Sequence, residues 1–200
     1  GNIEEAIEII RKKGQAVAAK RSDREAAEGA VLVKSENGFS AILALKCETD
    51  FVAKNADFVK LAQDILDLAV ANKCKSLDEV KALPMGAHSV ADAVTDRSGI
   101  TGEKMELDGY CFIEGENVSV YDHMGRHMLC TMVQTNKPAE EQAHNIAMQV
   151  AAMNPVALDE ASVPQSVKDE ELKVAIEKTK EEQVAKAVEA ALKKAGFNLY

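Results

Sequence analysis

His123 and His127 stand four residues apart, a spacing that on a helix would turn two imidazoles toward one metal ion. Met124-Gly125 lies between them and strand-like segments flank them, so the two rings are expected to face each other across a hairpin turn, without a metal site. Gly99-Ile100-Thr101-Gly102-Glu103-Lys104 faintly resembles a phosphate loop. It lacks the Gly-Lys-Ser/Thr ending that sets backbone amides, a lysine and a magnesium-binding hydroxyl around a phosphate, and it reads as a turn. No Gly-x-Ser-x-Gly elbow offers a serine nucleophile. Cys47 could pair with a histidine, yet it ends an apolar run, where a buried and inert thiol is the simpler reading. No catalytic residue, metal or cofactor is expected from these residues.

The composition narrows the remaining classes. Of 200 residues, 46% are hydrophobic and 28% charged, enough apolar material for one or two cores at about 100 to 200 residues per domain. No run reaches the ~18 apolar residues of a membrane span, and Gly1-Asn2-Ile3-Glu4-Glu5 lacks the basic start of a secretory signal, so a soluble, cytoplasmic protein is expected. A formal net charge of -9 argues against direct nucleic-acid binding, which draws on clustered Lys and Arg. The short basic clusters, Arg11-Lys12-Lys13, Lys20-Arg21 with Arg24, and Lys193-Lys194, all have acidic neighbours and read as solvated surface. Cys47, Cys74, Cys111 and Cys130 form no Cys-x-x-Cys pair, which fits reduced thiols.

Hydrophobic periodicity supplies the elements. Asn2 can cap a helix with Glu5 at the reciprocal position, placing Ile3, Ala6, Ile7 and Ile10 on one face before Gly14 ends it. One helix cannot bury that face alone, so a small helical unit is expected upstream. Residues 30–33 and 39–45 read as strands joined at Asn37-Gly38. A helix follows from its stripe of Phe58, Leu61, Ala62, Ile65, Leu66, Ala69 and Val70, capped by Asn55 or Asp57, and Ser76 opens a shorter one stopped by Pro84 and Gly86. Strands are expected again at 110–113, 118–121 and 127–133, with turns at Gly115 and Gly125, and then a helix from Pro138 to Asn154-Pro155.

Hairpin, loop and helix thus occur twice. Gly38, Ile42 and Leu45 match Gly125, Leu129 and Met132 at an offset of 87 (125 − 38 = 87), and Leu61-Ala62 match Ile146-Ala147 at 85 (146 − 61 = 85). The expected fold class is α+β, with two related antiparallel-sheet subdomains backed by packed helices. A long helix from Ser162 to Gly196, with a thin apolar stripe among Glu and Lys, suits a projecting arm and partial coiled coil.

The segment Cys47-Glu48-Thr49-Asp50-Phe51-Val52-Ala53-Lys54-Asn55 falls between a strand and a helix, and Phe51 precedes the helical stripe. Two readings stand from pattern alone: Phe51 staples the helix start beneath the loop, or it stands exposed for a partner. Thr49-Asp50-Phe51-Val52-Ala53-Lys54 resembles the signature of the elongation factor Ts family. Three further segments agree: Asn2-Ile3-Glu4-Glu5-Ala6-Ile7 running to Lys13-Gly14 and Ala18-Ala19-Lys20, then Tyr121-Asp122-His123, then Ile146-Ala147-Met148-Gln149-Val150-Ala151-Ala152.

The resemblance implies a guanine-nucleotide exchange factor for elongation factor Tu, a GTPase met in its GDP-bound form, with no bond chemistry of its own. It implies that Asp50 and Phe51 enter near the partner's phosphate and magnesium site, with Thr49, Val52, Ala53 and Lys54 shaping the loop. Tyr121, His123, His127 and Met128, together with Met148 and Gln149, would touch the same partner. Many family members carry His where Gln149 stands; an amide can hydrogen-bond there but cannot become charged. The implied division is 1–28 for the end of an N-terminal helical module and linker, 29–104 and 105–161 for the two core subdomains, and 162–200 for the helical arm. Most of the N-terminal module and the end of the arm would lie outside this sequence. A chaperone-like or scaffolding module without exchange activity is the alternative.

Overall fold

The computed structural model describes residues 2–195. Asn37 and Gly38 both take left-handed backbone (φ 51° and 73°), the conformation a two-residue hairpin turn demands and glycine accepts without a Cβ clash. They join β1 (Glu28–Glu36) to β2 (Phe39–Cys47) in an antiparallel register that pairs Val33 with Ile42. On the other side of β2 runs β5 (Glu106–Glu114), so β2 is the central strand of a β1-β2-β5 sheet.

Alternate residues of β2 carry the core. Phe39, Ala41, Leu43, Leu45 and Cys47 are all fully buried, as period-two alternation requires when one face is covered. The cover is α3 (Ala56–Ala71), which buries Phe58, Ala62, Ile65, Leu66, Ala69 and Val70. Phe39 also stacks on Phe112 of β5, with ring centroids 5.4 Å apart. The β2–β5 register slips after Ala44, so that Leu45 pairs with Leu107 and Ala44 with Gly109. A Cβ at Gly109 would lie 2.8 Å from that of Ala44; only glycine lets the strands approach at this bulge.

Between them come α2 (Asp50–Ala53), α4 (Leu77–Ala82), the short strands β3 (Pro84–Met85) and β4 (His88–Ser89), and α5 (Val90–Thr101). Helix α5 corrects the reading of 99–104 as a turn. Residues 99–101 are its last turn, and Gly102, at φ 77°, caps it in the left-handed conformation. Its start is a capping box in which the Ser89 hydroxyl accepts from Asp92 N–H and the Asp92 carboxylate accepts from Ser89 N–H. Helix α1 (Ile3–Lys20) runs past Gly14 instead of stopping there. Gly14 is an approach point: a Cβ on it would fall 2.3 Å from Thr95 O, and one on Gly99 would fall 2.7 Å from Gly14 N. Close backbone contact with α5, not helix termination, explains the glycine.

The second hairpin pairs β6 (Val118–Asp122) with β7 (Cys130–Gln134), covered by α6 (Glu140–Met153). The strand expected from His127 begins three residues later, because Met124, Gly125 and His127 all take positive φ in the connecting turn. Thr131 is buried there and donates its hydroxyl hydrogen to Ala147 O at 2.8 Å. Val31 N–H of β1 donates to His127 O at 2.6 Å, which ties this turn to the edge of the first sheet. The fold is therefore α+β, with small antiparallel sheets and covering helices.

The described chain divides between Asn154 and Pro155 into two compact units. The second holds a short 3-10 turn (Glu160–Ser162), capped by Asp159, and α7 (Gln165–Lys194), a 30-residue helix with no buried side chain. Gly196, expected as its stop, lies outside the described residues.

Candidate partner-docking site

Two helix caps in quick succession shape the segment after β2. The Thr49 hydroxyl accepts from Val52 N–H at 3.5 Å to start α2, and the Asn55 side chain accepts from Asp57 N–H at 2.9 Å and Phe58 N–H at 3.3 Å to start α3. Such caps satisfy amides that a helix start leaves unpaired. The chain must then reverse within the single turn of α2, which sorts its side chains. Val52 and Ala53 pack inward on the core. Phe51 points away and is 84% exposed, so it does not staple the helix beneath the loop.

Asp50 and Lys54, one helical turn apart and exposed like the ring, are joined at 2.6 Å. The Lys54 hydrogen bond holds the Asp50 carboxyl below the ordinary aspartate range, while open solvent screens the pair. Cys47, one turn upstream, is buried with its thiol donating to Thr49 O at 3.2 Å. Burial pushes that thiol up to about 11, so little nucleophilic thiolate forms near neutral pH.

The remaining expected contact residues gather on the second hairpin and its helix. Tyr121 lies on β6 next to its last residue, Asp122, and His123 follows in the turn, with the phenol oxygen 2.9 Å from His123 Nδ1. His127 does not face His123: its Nδ1 lies 2.7 Å from Asp122 Oδ2, and its N–H donates to Asp122 Oδ1. The two imidazoles are thus engaged by different partners. Met128 is exposed beside them, and Met148 and Gln149 are exposed on α6. His144, which the sequence did not single out, meets the Tyr121 ring edge-on at 5.6 Å. Its only sequence signal was one helical turn of separation from Met148.

Glu48 and Glu103 were also missed. The Glu103 carboxylate accepts from Glu48 N–H, Thr49 N–H and the Thr49 hydroxyl, across more than fifty residues of sequence. No local pattern announces a contact of that separation.

An exposed aromatic on a doubly capped turn and a separate exposed Met and His surface thus lie in the same compact unit, and exposed apolar side chains grouped in this way can serve as contact surface. The family model described as Elongation factor TS matches residues 48–195. The chain is 72% identical over 198 residues to an elongation factor Ts of Parabacteroides distasonis, covering 99% of this chain and 60% of the relative. It is 67% identical over 199 residues to that of Bacteroides thetaiotaomicron, with the same two coverages. With that of Azobacteroides pseudotrichonymphae it shares 40% identity over 202 residues, covering all of this chain and 73% of the relative. The chain spans about 60% of the length of the first of these curated relatives. The match across most of its length places the chain in the elongation factor Ts family.

Proposed function

We propose that this chain acts in translation elongation as a guanine-nucleotide exchange factor for elongation factor Tu, docking on the GDP-bound GTPase and promoting GDP release. In this reading Asp50 and Phe51 enter near the partner's magnesium and phosphate site, on a turn shaped by Thr49, Val52, Ala53 and Lys54. Tyr121, His123, His127, Met128, Met148 and Gln149 form a second contact surface. Residues 29–104 and 105–161 serve in this reading as the two core subdomains that carry these surfaces, with β5 of the second completing the sheet of the first. Exchange makes and breaks no covalent bond, so the reading requires no enzyme chemistry, cofactor or direct nucleic-acid contact, and it places the chain in the cytoplasm.

The observation that carries the reading is the exposure of Phe51 on a turn whose neighbours are fixed by caps and core packing. A ring left in water at a defined position can gain its burial energy only from another molecule. Burying it contributes roughly 1.5 to 3 kcal/mol, equivalent to about a 10- to 150-fold change in an equilibrium. Linkage sets the form of the effect: whatever factor docking removes from GDP affinity, GDP removes from docking.

Release of a fluorescent GDP analogue from elongation factor Tu tests the reading. The chain should accelerate release, and Phe51→Ala should remove most of the acceleration. Binding to elongation factor Tu without any acceleration would instead favour the chaperone-like or scaffolding alternative.

A further inference from the structure

The turn that presents Phe51 is gripped from the far end of α5. Glu103 Oε2 accepts from Glu48 N–H at 3.2 Å and from Thr49 N–H at 3.1 Å, and Oε1 accepts from the Thr49 hydroxyl at 2.6 Å. The grip is reciprocal, since Glu48 Oε1 accepts from Lys104 N–H at 2.6 Å. Each carboxylate thus takes up the backbone of the other segment. Arg21 completes the clasp with Nη1 at 2.7 Å from Glu48 Oε2, while Lys104 Nζ donates to Ser22 O and Arg24 O. The left-handed cap at Gly102 directs the chain at Glu103, and Glu103 N–H donates to the Thr101 hydroxyl.

We propose that Glu103 is the positioning residue of the docking turn: by holding the Thr49 backbone and hydroxyl at once, it fixes the cap of α2 and so sets the direction in which Phe51 projects. The functional half of this inference rests on the exchange reading above. Thr49 is the only N-cap of a four-residue helix, and its own bond to Val52 N–H is long, at 3.5 Å. Backbone bonds such as Ala53 N–H to Thr49 O at 3.1 Å close the turn, but one long bond orients the capping side chain only weakly. Three hydrogen bonds to one carboxylate define it well, because charge-assisted bonds are stronger than neutral ones. A preset ring avoids the ordering cost that a mobile one meets on docking.

Two measurements on the full chain test this. The first uses the free protein and reads the amides of Val52 and Ala53, whose acceptors belong to Thr49 and not to Glu103. Glu103→Ala should speed their hydrogen exchange about tenfold with the thermal midpoint held. Glu103→Gln, which keeps one acceptor oxygen and one group able to meet the Thr49 hydroxyl, should stay near wild type. The second measures binding to elongation factor Tu: Glu103→Ala should raise the half-saturating concentration about threefold to tenfold, Glu103→Gln should restore it, and the shift should vanish on a Phe51→Ala background. Unchanged exchange at Val52 and Ala53 overturns the inference, as does a binding shift that persists in full without the ring, which would mark Glu103 as a direct contact. If Phe51→Ala alone changes nothing at elongation factor Tu, the exchange reading of the turn falls, and the amide measurement decides the bracing role by itself.

Discussion

At an offset of 85, Phe58 and Ala62 on α3 correspond to Ala143 and Ala147 on α6 (143 − 58 = 85 and 147 − 62 = 85), and all four are buried. Beyond those positions the two hairpin–helix regions part. Helix α3 also sinks Ile65, Leu66, Ala69 and Val70, whereas α6 buries only its two alanines. Its larger side chains, Ile146, Met148 and Met153, stay exposed, as do Met124 and Met128 at the hairpin turn. The first region spends its apolar residues on its own core and exposes a single ring, Phe51; the second packs a helix closely through small residues and leaves its large ones outside. The two hairpin–helix regions thus carry two kinds of apolar surface.

The sharpest way to break that comparison is to truncate a large side chain in each region. Phe58→Ala should lower the unfolding free energy by about 3–5 kcal/mol, the usual cost of an aromatic core cavity. Phe51→Ala, seven residues away, and Ile146→Ala on the outer side of α6 should each stay within about 1 kcal/mol. Chemical denaturation of the three variants reads this directly, and equal losses at Phe58 and Ile146 would show that α6 carries a core of its own kind. Overfilling is the reverse probe. Ala147→Leu should cost about 1–3 kcal/mol, because the Ala147 side chain is fully buried against the hairpin. Thr131→Val should cost about 1 kcal/mol through its one bond to the Ala147 carbonyl, measured by the same denaturation.

Much of this contrast was legible in the sequence, because its signals are local. Asn37-Gly38 named its turn, and the α3 stripe with Asn55 before it named a helix and its cap. The helix offset of 85 also carries through to burial. The strand offset of 87 does not: Leu43 and Leu45 are buried on β2, but the buried residue of β7 is Thr131, which matches position 44 (131 − 87 = 44). A slip of one residue exchanges the faces of a strand, so a loose match in composition could not fix register. Helix α5 escaped notice because its buried face is Val90, Val94, Ser98 and Gly99, too small and too polar to read as a stripe; the Ser89–Asp92 box was its one local sign. Gly14 was misread for a related reason, since a helix glycine signals either an end or a close crossing, and the Thr95 carbonyl that decides between them is some eighty residues away. Sequence left Phe51 between packing and projection, and its 84% exposure in the fold decides for projection; the bonds that Thr49 gives to Glu103 beside it have no local spacing to reveal them.

The smallest effect separates the two regions by pH. Lys104 N–H, and after it the Arg21 guanidinium, holds the Glu48 carboxyl below the ordinary glutamate range, against the opposing push of burial. A carboxyl whose folded pKa is depressed contributes stability above its unfolded value and loses it as pH falls through the folded value. The clasp on the docking turn should therefore be firm at neutral pH and loosen in acid, beginning as pH falls through the ordinary glutamate range and finishing below it. Protection factors at the Lys104 amide should fall over that window, and Glu48→Gln should flatten the dependence while lowering protection at neutral pH. The contact between Thr131 and the Ala147 carbonyl joins two uncharged groups, so the α6 amides around it should keep constant protection across the same window. Parallel loss at both sites would mean that acid loosens the whole unit, and the clasp would then have no titration of its own.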